Sequence, residues 1–209
     1  MAKVKICGLA NYNDALNATN FGTDFVGFSF IKDSPSKISE KLALDIISKL
    51  PPFVTPVAVF CNEDEKAVTK VIKKLGIKNV QFNGSESPEF CKSVKDAQCV
   101  KIFKFFKLNS VEDVFVMEPY KCVIDYLVLD VSYMYEGQTK FNYDAVLKTE
   151  EFKIPIFISG GIFDKDIKDF LDKTSPYGFE ADSSVERLPK RKDYDKMSAF
   201  IKAAHGLRI

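Results

Sequence analysis

Histidine is almost missing from this chain: His205, near the C-terminus, is the only one in 209 residues. That excludes any centre built on several histidines, whether a zinc site or a Ser-His-Asp triad. The five cysteines, Cys7, Cys61, Cys91, Cys99 and Cys122, are odd in number and contain no CxxC spacing. Neither a zinc ribbon nor a thioredoxin-type motif is therefore available, and the cysteines read as free thiols of a reducing cytosol. No apolar run exceeds strand length, which excludes a membrane span. The N-terminus lacks the long apolar region and cleavage pattern of a signal peptide. An excess of one charge is missing too. Lysine plus arginine number 30 against 29 for aspartate plus glutamate, so no global field favours nucleic acid or an anionic membrane. No GxGxxG follows any apolar run, which removes the dinucleotide fingerprint. These absences point to a cytoplasmic protein without nucleic-acid or membrane partners.

What is present is a core-forming composition and a rhythm. The chain is 46% hydrophobic, ordinary for a globular protein, and its length fits one domain over 1–209. Eight β-rich runs recur: "VKIC" (4–7), "DFVGFSF" (24–30), "PVAVF" (56–60), "NVQF" (79–82), "CVKIFKFF" (99–106), "IDYLVLD" (124–130), "IPIFIS" (154–159) and "YGFEAD" (177–182). Helical patterns follow them. Asn11 or Asn13 caps the first, through about residue 19. Ser39 caps one within 38–50 whose apolar face is Leu42, Ile46, Ile47 and Leu50. Others span 63–75, start near Ser87, span 110–118, then 143–148 after a polar loop, 164–171 and 194–204. Parallel strands joined by helical crossovers are the geometry such alternation predicts. Eight units without a linker predict a single-domain (β/α)8 TIM barrel; a flavodoxin-like or Rossmann sheet would leave strands over. The basic cluster "RLPKRKDYDK" at 187–196 reads as a solvated face ahead of the last helix, because no aromatic interleaving accompanies it.

In such a barrel, chemistry collects where the strands end at their C-termini. Those ends offer Cys7, then Ser34-Pro35-Ser36, Cys61-Asn62, Gln81 and Asn83, Asp130, Ser159-Gly160-Gly161, and finally Glu180, Asp182, Ser183 and Ser184. Gly160 and Gly161 lead into a helix, and Ser183-Ser184 form a second small-residue loop. Both suit a phosphate, since small residues let backbone N–H groups approach an anion at a helix N-terminus. The plainer alternative for the glycines is a tight turn. Cys7 and Asp130 fall on opposite sides of one barrel mouth. A thiol of lowered pKa can act as a base and a carboxylic acid of raised pKa as an acid. That pairing suits a proton-shuffling isomerisation with no metal or redox cofactor. Taken singly, each has a plainer explanation: packing for a strand cysteine, a helix cap for a strand-end aspartate.

The motifs "KICG" (5–8), "DFVGFSF…SP" (24–35), "PVAVF" with Asn62, "VQFNG" (80–84), "LVLD" (127–130), "ISGGI" (158–162) and "SSVERLPKRKD" (183–193) occur in a telling order. Over nearly its whole length the sequence resembles the phosphoribosylanthranilate isomerase family. The resemblance implies a (β/α)8 barrel acting in tryptophan synthesis. The reaction it implies is the Amadori rearrangement of N-(5-phosphoribosyl)anthranilate to 1-(2-carboxyphenylamino)-1-deoxyribulose 5-phosphate. Cys7 would be the general base and Asp130 the general acid. Gly160, Gly161, Ser183 and Ser184 would take the phosphate, with Gln81 and Asn83 as further substrate contacts. It implies no cofactor, a small phosphorylated molecule as partner, and leaves association with the next enzyme of the pathway open.

Departures from the family pattern fall on the loops. The family commonly carries an arginine after strand 2 that holds the anthranilate carboxylate; here the position is Ser36, which cannot supply a bidentate fork. Lys37 beside it is expected to substitute as a point charge with its side chain turned inward. Asn83 stands where the family has histidine, and of the glycines after strand 6 only Gly137 survives. Glu180, Asp182 and Ser184 alter the strand 8 loop, and Asp182 brings negative charge towards the expected phosphate. Two alternatives accompany this reading: a barrel acting on another sugar phosphate, and a non-catalytic barrel serving as a binding module. Histidine-pathway aldose–ketose isomerases carry an aspartate in place of Cys7, and ribulose-phosphate epimerases use histidine metal ligands, so neither pattern fits.

Overall fold

In the computed structural model, which describes residues 1–207, the eight apolar runs become short parallel strands. They are β1 (Lys3–Ile6), β2 (Phe25–Ser29), β3 (Thr55–Phe60), β4 (Asn79–Phe82), β5 (Lys101–Lys107), β6 (Tyr126–Asp130), β7 (Ile156–Ser159) and β8 (Gly178–Ala181). Each pairs with its neighbours in sequence, and β8 returns to β1 in the register Lys3–Gly178 to Ile6–Ala181. The sheet is thus a closed (β/α)8 barrel, as the alternation predicts. Positions 208–209 of the expected 1–209 domain lie outside the described residues.

Closure follows from strands that are apolar on both faces. Inward, Phe25, Val57, Phe103, Val128 and Phe157 form one cluster, with Phe25 edge-on to Phe103 and Phe157 at centroid distances of 5.7 and 5.6 Å. None of these side chains lies beyond the middle of its strand, and together they plug the N-terminal end of the barrel. Each stabilises the fold by roughly 1.5–3 kcal/mol through burial. Outward, Val4, Ile6, Val26 and Phe28 join the larger cluster beneath the helices. Polar inward positions are left for the opposite, C-terminal end.

The helices are α1 (Tyr12–Phe21), α2 (Glu40–Ile47), α3 (Glu65–Leu75), α4 (Pro88–Gln98), α5 (Tyr143–Glu150), α6 (Asp164–Lys173) and α7 (Tyr194–Ala204). Asn11, Ser39, Asp64 and Ser87 cap the first four, each side chain accepting a backbone N–H of the first turn, a contribution of about 1 kcal/mol apiece. The expected apolar face of α2 needs correction. Ala43 and Ile46 are its buried residues, while Leu42 is exposed, because the helix turns its small Ala43 to the barrel wall.

Three other expectations are revised. The segment after β5 is a 3-10 helix, Glu112–Tyr120, rather than an α-helix; Pro119 inside it has no N–H to donate. The polar loop after β6 is a β-hairpin, Ser132–Tyr135 with Gln138–Phe141. It turns at Glu136 and Gly137, both at positive φ (49° and 74°), as a two-residue hairpin turn of the primed type requires. The basic cluster is not a uniformly solvated face. Glu186–Leu188 and Arg191–Lys192 make a small antiparallel ribbon, and Lys192 is buried at 2% exposure. Among the described residues no helix is long and apolar enough to cross a membrane.

Candidate active site

Strand alternation sends Lys5 and Cys7 into the barrel. Lys5 is fully buried, and its Nζ donates to Glu180 Oε2 at 2.7 Å and Gln81 Oε1 at 2.6 Å. Cys7 Sγ lies 3.6 Å from the same ammonium. Gln81 Nε2 then donates to Asn83 Oδ1 at 2.9 Å and to Glu180 Oε1 at 3.4 Å. A ring of polar groups from β1, β4 and β8 therefore lies beneath the thiol. Burial pushes the Cys7 thiol up to about 12; Lys5 draws it down, and Glu180 and Asp182 raise it again. This corrects the expectation of a lowered pKa, because the residue is 4% exposed and loses the hydration that would favour a thiolate. For Lys5, burial alone would lower the ammonium, but Cys7 and Glu180 outweigh it and hold it above the ordinary lysine value.

The space for the thiol comes from β2. A Cβ at Gly27 would collide with Cys7 Sγ and crowd the Cys7 backbone. Across the mouth the same device recurs. A Cβ at Gly160, whose φ is +87°, would run into the Asp130 carboxylate. Asp130 is the last residue of β6, beside Ser159 of β7. Its Oδ1 accepts the Ser132 hydroxyl at 2.6 Å and the Ser132 N–H at 3.0 Å; its Oδ2 lies 3.2 Å from Lys107 Nζ. Among the described residues it caps no α-helix; its bonds to Ser132 fasten the start of the hairpin instead.

Asp130, Gly160, Gly161 and Ser183 line one cleft of about 510 Å³, together with Lys107 and Ser132. The structure thus brings the expected acid together with three of the four expected phosphate residues. Ser184, the fourth, is buried in a 3-10 turn, Ser183–Val185, just ahead of the ribbon. Gln81 and Asn83 join the polar ring under Cys7. Ser36 is buried, and its N–H donates to Ser34 Oγ at 3.1 Å. Lys37 lines a separate groove between α2 and α3, with Lys41, Lys70 and Lys74 on its rim; it is not among the residues lining the Asp130 cleft. Asp182 is matched by buried Lys192, whose Nζ lies 2.8 Å from Asp182 Oδ1 and 3.2 Å from Glu186 Oε1. Its charge is therefore not left facing the phosphate loops alone.

Residues missed in the sequence reading are Lys5, Lys107, Lys192 and Ser29. Ser29 Oγ is, among the described residues, the buried side-chain polar atom without a hydrogen-bond partner, and alternation with Phe25 and Gly27 places it on the inner face of β2. The lysine within "VKIC" gave no sign of what it would meet, and Lys107 directly follows the run at 99–106. Asn62, singled out by its motif, is a scaffold residue: its Oδ1 accepts Ser85 N–H at 2.7 Å and fastens the loop that carries Asn83.

Comparison with known proteins decides the family. Residues 4–203 match the family described as N-(5'phosphoribosyl)anthranilate (PRA) isomerase. The N-(5'-phosphoribosyl)anthranilate isomerase of Geotalea uraniireducens is 35% identical over 209 residues, covering 99% of this chain and all of that protein. The chain belongs to the N-(5'-phosphoribosyl)anthranilate isomerase family. The Thermotoga neapolitana isomerase is 34% identical over 99% of the chain and 100% of its own length. The crystal structure of the phosphoribosylanthranilate isomerase of Thermotoga maritima superposes with a TM-score of 0.91 at 31% identity, covering 99% of this chain and all of that one. A phosphoribosylanthranilate isomerase in complex with reduced 1-(o-carboxyphenylamino)-1-deoxyribulose 5-phosphate superposes with a TM-score of 0.89, also at 31% identity and with the same coverage.

Proposed function

We propose that this barrel isomerises N-(5-phosphoribosyl)anthranilate to 1-(2-carboxyphenylamino)-1-deoxyribulose 5-phosphate by an Amadori rearrangement, with Asp130 as acid and Cys7 as base. It is an aldose–ketose isomerase of tryptophan biosynthesis. The observation that carries the assignment of roles is the placement of the two groups: Asp130 ends β6 and Cys7 directly follows β1, each in space cleared by a glycine of the adjacent strand or loop. Asp130 protonates the furanose ring oxygen and the ring opens to a Schiff base. Cys7 removes the proton from the adjacent sugar carbon, and the resulting enolamine tautomerises to the ketone. Each proton transfer contributes roughly 10²–10⁴-fold.

The cleft next to Asp130 suits the phosphate. Gly160 and Gly161 precede α6, whose N-terminus adds partial positive charge, and Ser183 and Lys107 face the same space. Five cysteines without a disulfide support a cytoplasmic setting.

The test is a fluorescence assay in which phosphoribosylanthranilate is generated in situ and loss of anthranilate emission is followed. Rapid, Cys7-dependent loss is expected. No loss above the uncatalysed background, from protein shown to be folded, would overturn the reading.

A further inference from the structure

The reaction as written makes no use of the buried ammonium under Cys7. Isolated in the barrel, a lysine would cost several kcal/mol in desolvation, and a carboxylate partner offsets that. Glu180 at 2.7 Å and Gln81 at 2.6 Å already supply partners to Lys5. An ammonium carries three N–H donors, and the third is directed at Cys7 Sγ, 3.6 Å away. It is the lysine that has something to offer the thiol.

We infer that Lys5 is a positioning residue of this isomerase: its ammonium is shared between Glu180 and Cys7, and it supports the thiolate when the thiol proton leaves to solvent. The inference rests on Cys7 being the base. The groups around the thiol give its direction. Lys5 faces Cys7 from β1 and Glu180 from β8; Asp182 lies just beyond β8 and Lys192 on the ribbon. Asp182 and Lys192 sit 2.8 Å apart and largely cancel. Gly27 of β2 carries no side chain, and Gln81 and Asn83 are neutral. The balance between Lys5 and Glu180 therefore sets the thiol. While Glu180 is ionised it matches the lysine, and a thiolate would leave the buried layer net negative. Once Glu180 is made neutral, ammonium and thiolate become the pair.

Peptide-resolved alkylation of Cys7 by iodoacetamide at constant pH reads the thiolate fraction directly. Glu180→Gln is expected to speed alkylation by about tenfold or more, since an adjacent charge moves a pKa by roughly one unit or more. Lys5→Met alone leaves Glu180 unpaired and can fail to fold, so the companion is Lys5→Met/Glu180→Gln, whose layer is uncharged. It is expected to alkylate slower than Glu180→Gln by about tenfold or more. The rising limb of kcat/KM against pH moves to lower pH in Glu180→Gln and back up in the double variant. Equal alkylation rates in these two variants, both folded by circular dichroism, would overturn the role of Lys5. Full activity of Cys7→Ala would instead overturn the base assignment, whatever the alkylation rates, so the two failures are told apart.

Discussion

The Cys7 thiol occupies the place that a side chain at Gly27 would fill. The two residues sit on adjacent strands, and the clash would involve Cys7 backbone as well as sulfur, so simple rotation of the thiol does not relieve it. Overpacking of this kind costs about 1–3 kcal/mol. Gly27→Ala is expected to lower the melting temperature and to cut kcat by displacing the base, with little change in KM. Adding Cys7→Ala should recover part of the lost stability. A Gly27→Ala enzyme with unchanged kcat would mean that the thiol's position is immaterial to turnover.

Cys7→Ala and Asp130→Asn should each lower kcat by roughly 10²–10⁴-fold with the circular dichroism spectrum kept. Neither side chain holds the barrel together: among the described residues the Asp130 carboxylate bonds only Ser132 and Lys107, and Cys7 bonds through sulfur to Lys5 alone. Steady-state kinetics decide the matter, and near-normal turnover in either variant removes that residue from the proton transfers.

The barrel was legible because its eight strands are continuous apolar runs, and because Asn11, Ser39 and Ser87 announce helices in the way capping demands. Cys7 and Asp130 could be picked out by their place at strand ends together with the motifs around them. Lys5 could not, since its partner Glu180 is 175 positions away and meets it only when β8 closes on β1. The direction of the Cys7 shift was hidden for the same reason: burial at the mouth depends on what Gly27 and β8 leave around it. The hairpin at 132–141 packs mostly outside the core, so it lacks the strand-like apolar alternation, and its Glu136-Gly137 turn was the one local sign. Lys192 looked like its exposed neighbours because Asp182, the charge it answers, lies across a ribbon turn.

Two lysines are candidates for contacts to the substrate's anionic groups, and their positions separate them. Lys107 lines the Asp130 cleft, whereas Lys37 lines the α2–α3 groove. A hydrogen bond to a charged group contributes about 1.5–3 kcal/mol. Lys107→Ala should therefore raise KM on the order of tenfold, while Lys37→Ala leaves KM nearly unchanged. The opposite pattern in initial-rate measurements would return substrate binding to Lys37.

Lys192 is buried between Asp182 and Glu186, and removing one partner of such a group strands the other charges. Lys192→Met should lower stability and raise KM, because Asp182 would then repel the phosphate at the adjoining Ser183 loop. Asp182→Asn added to it should restore KM more than stability. A Lys192→Met enzyme with normal KM would show that the Asp182 charge does not reach the substrate.

Stability should fail on the alkaline side, and two thiols set where. Burial pushes Cys7 up to about 12, against the pull of Lys5 and with Glu180 and Asp182 adding to it. Burial likewise pushes Cys91 up to about 11, opposed by Lys104. In the unfolded chain both return to the ordinary value of 9.0. The folded state thus holds these protons more tightly, and its advantage is complete below pH 9. Above pH 9 the unfolded chain releases them first, so stability falls by about 1.4 kcal/mol per pH unit for each thiol until its folded value is passed. Lys5, also raised when folded, adds to the loss once the pH exceeds the ordinary lysine value of 10.5. Urea unfolding midpoints at pH 8, 9, 10 and 11 should be level at first and then drop. Cys7→Ala and Cys91→Ala should each drop less steeply over that window, whatever their stability at pH 8. A Cys7→Ala profile as steep as the parent's would mean that the thiol is already ionised in the folded barrel, and that Lys5 outweighs burial rather than merely opposing it.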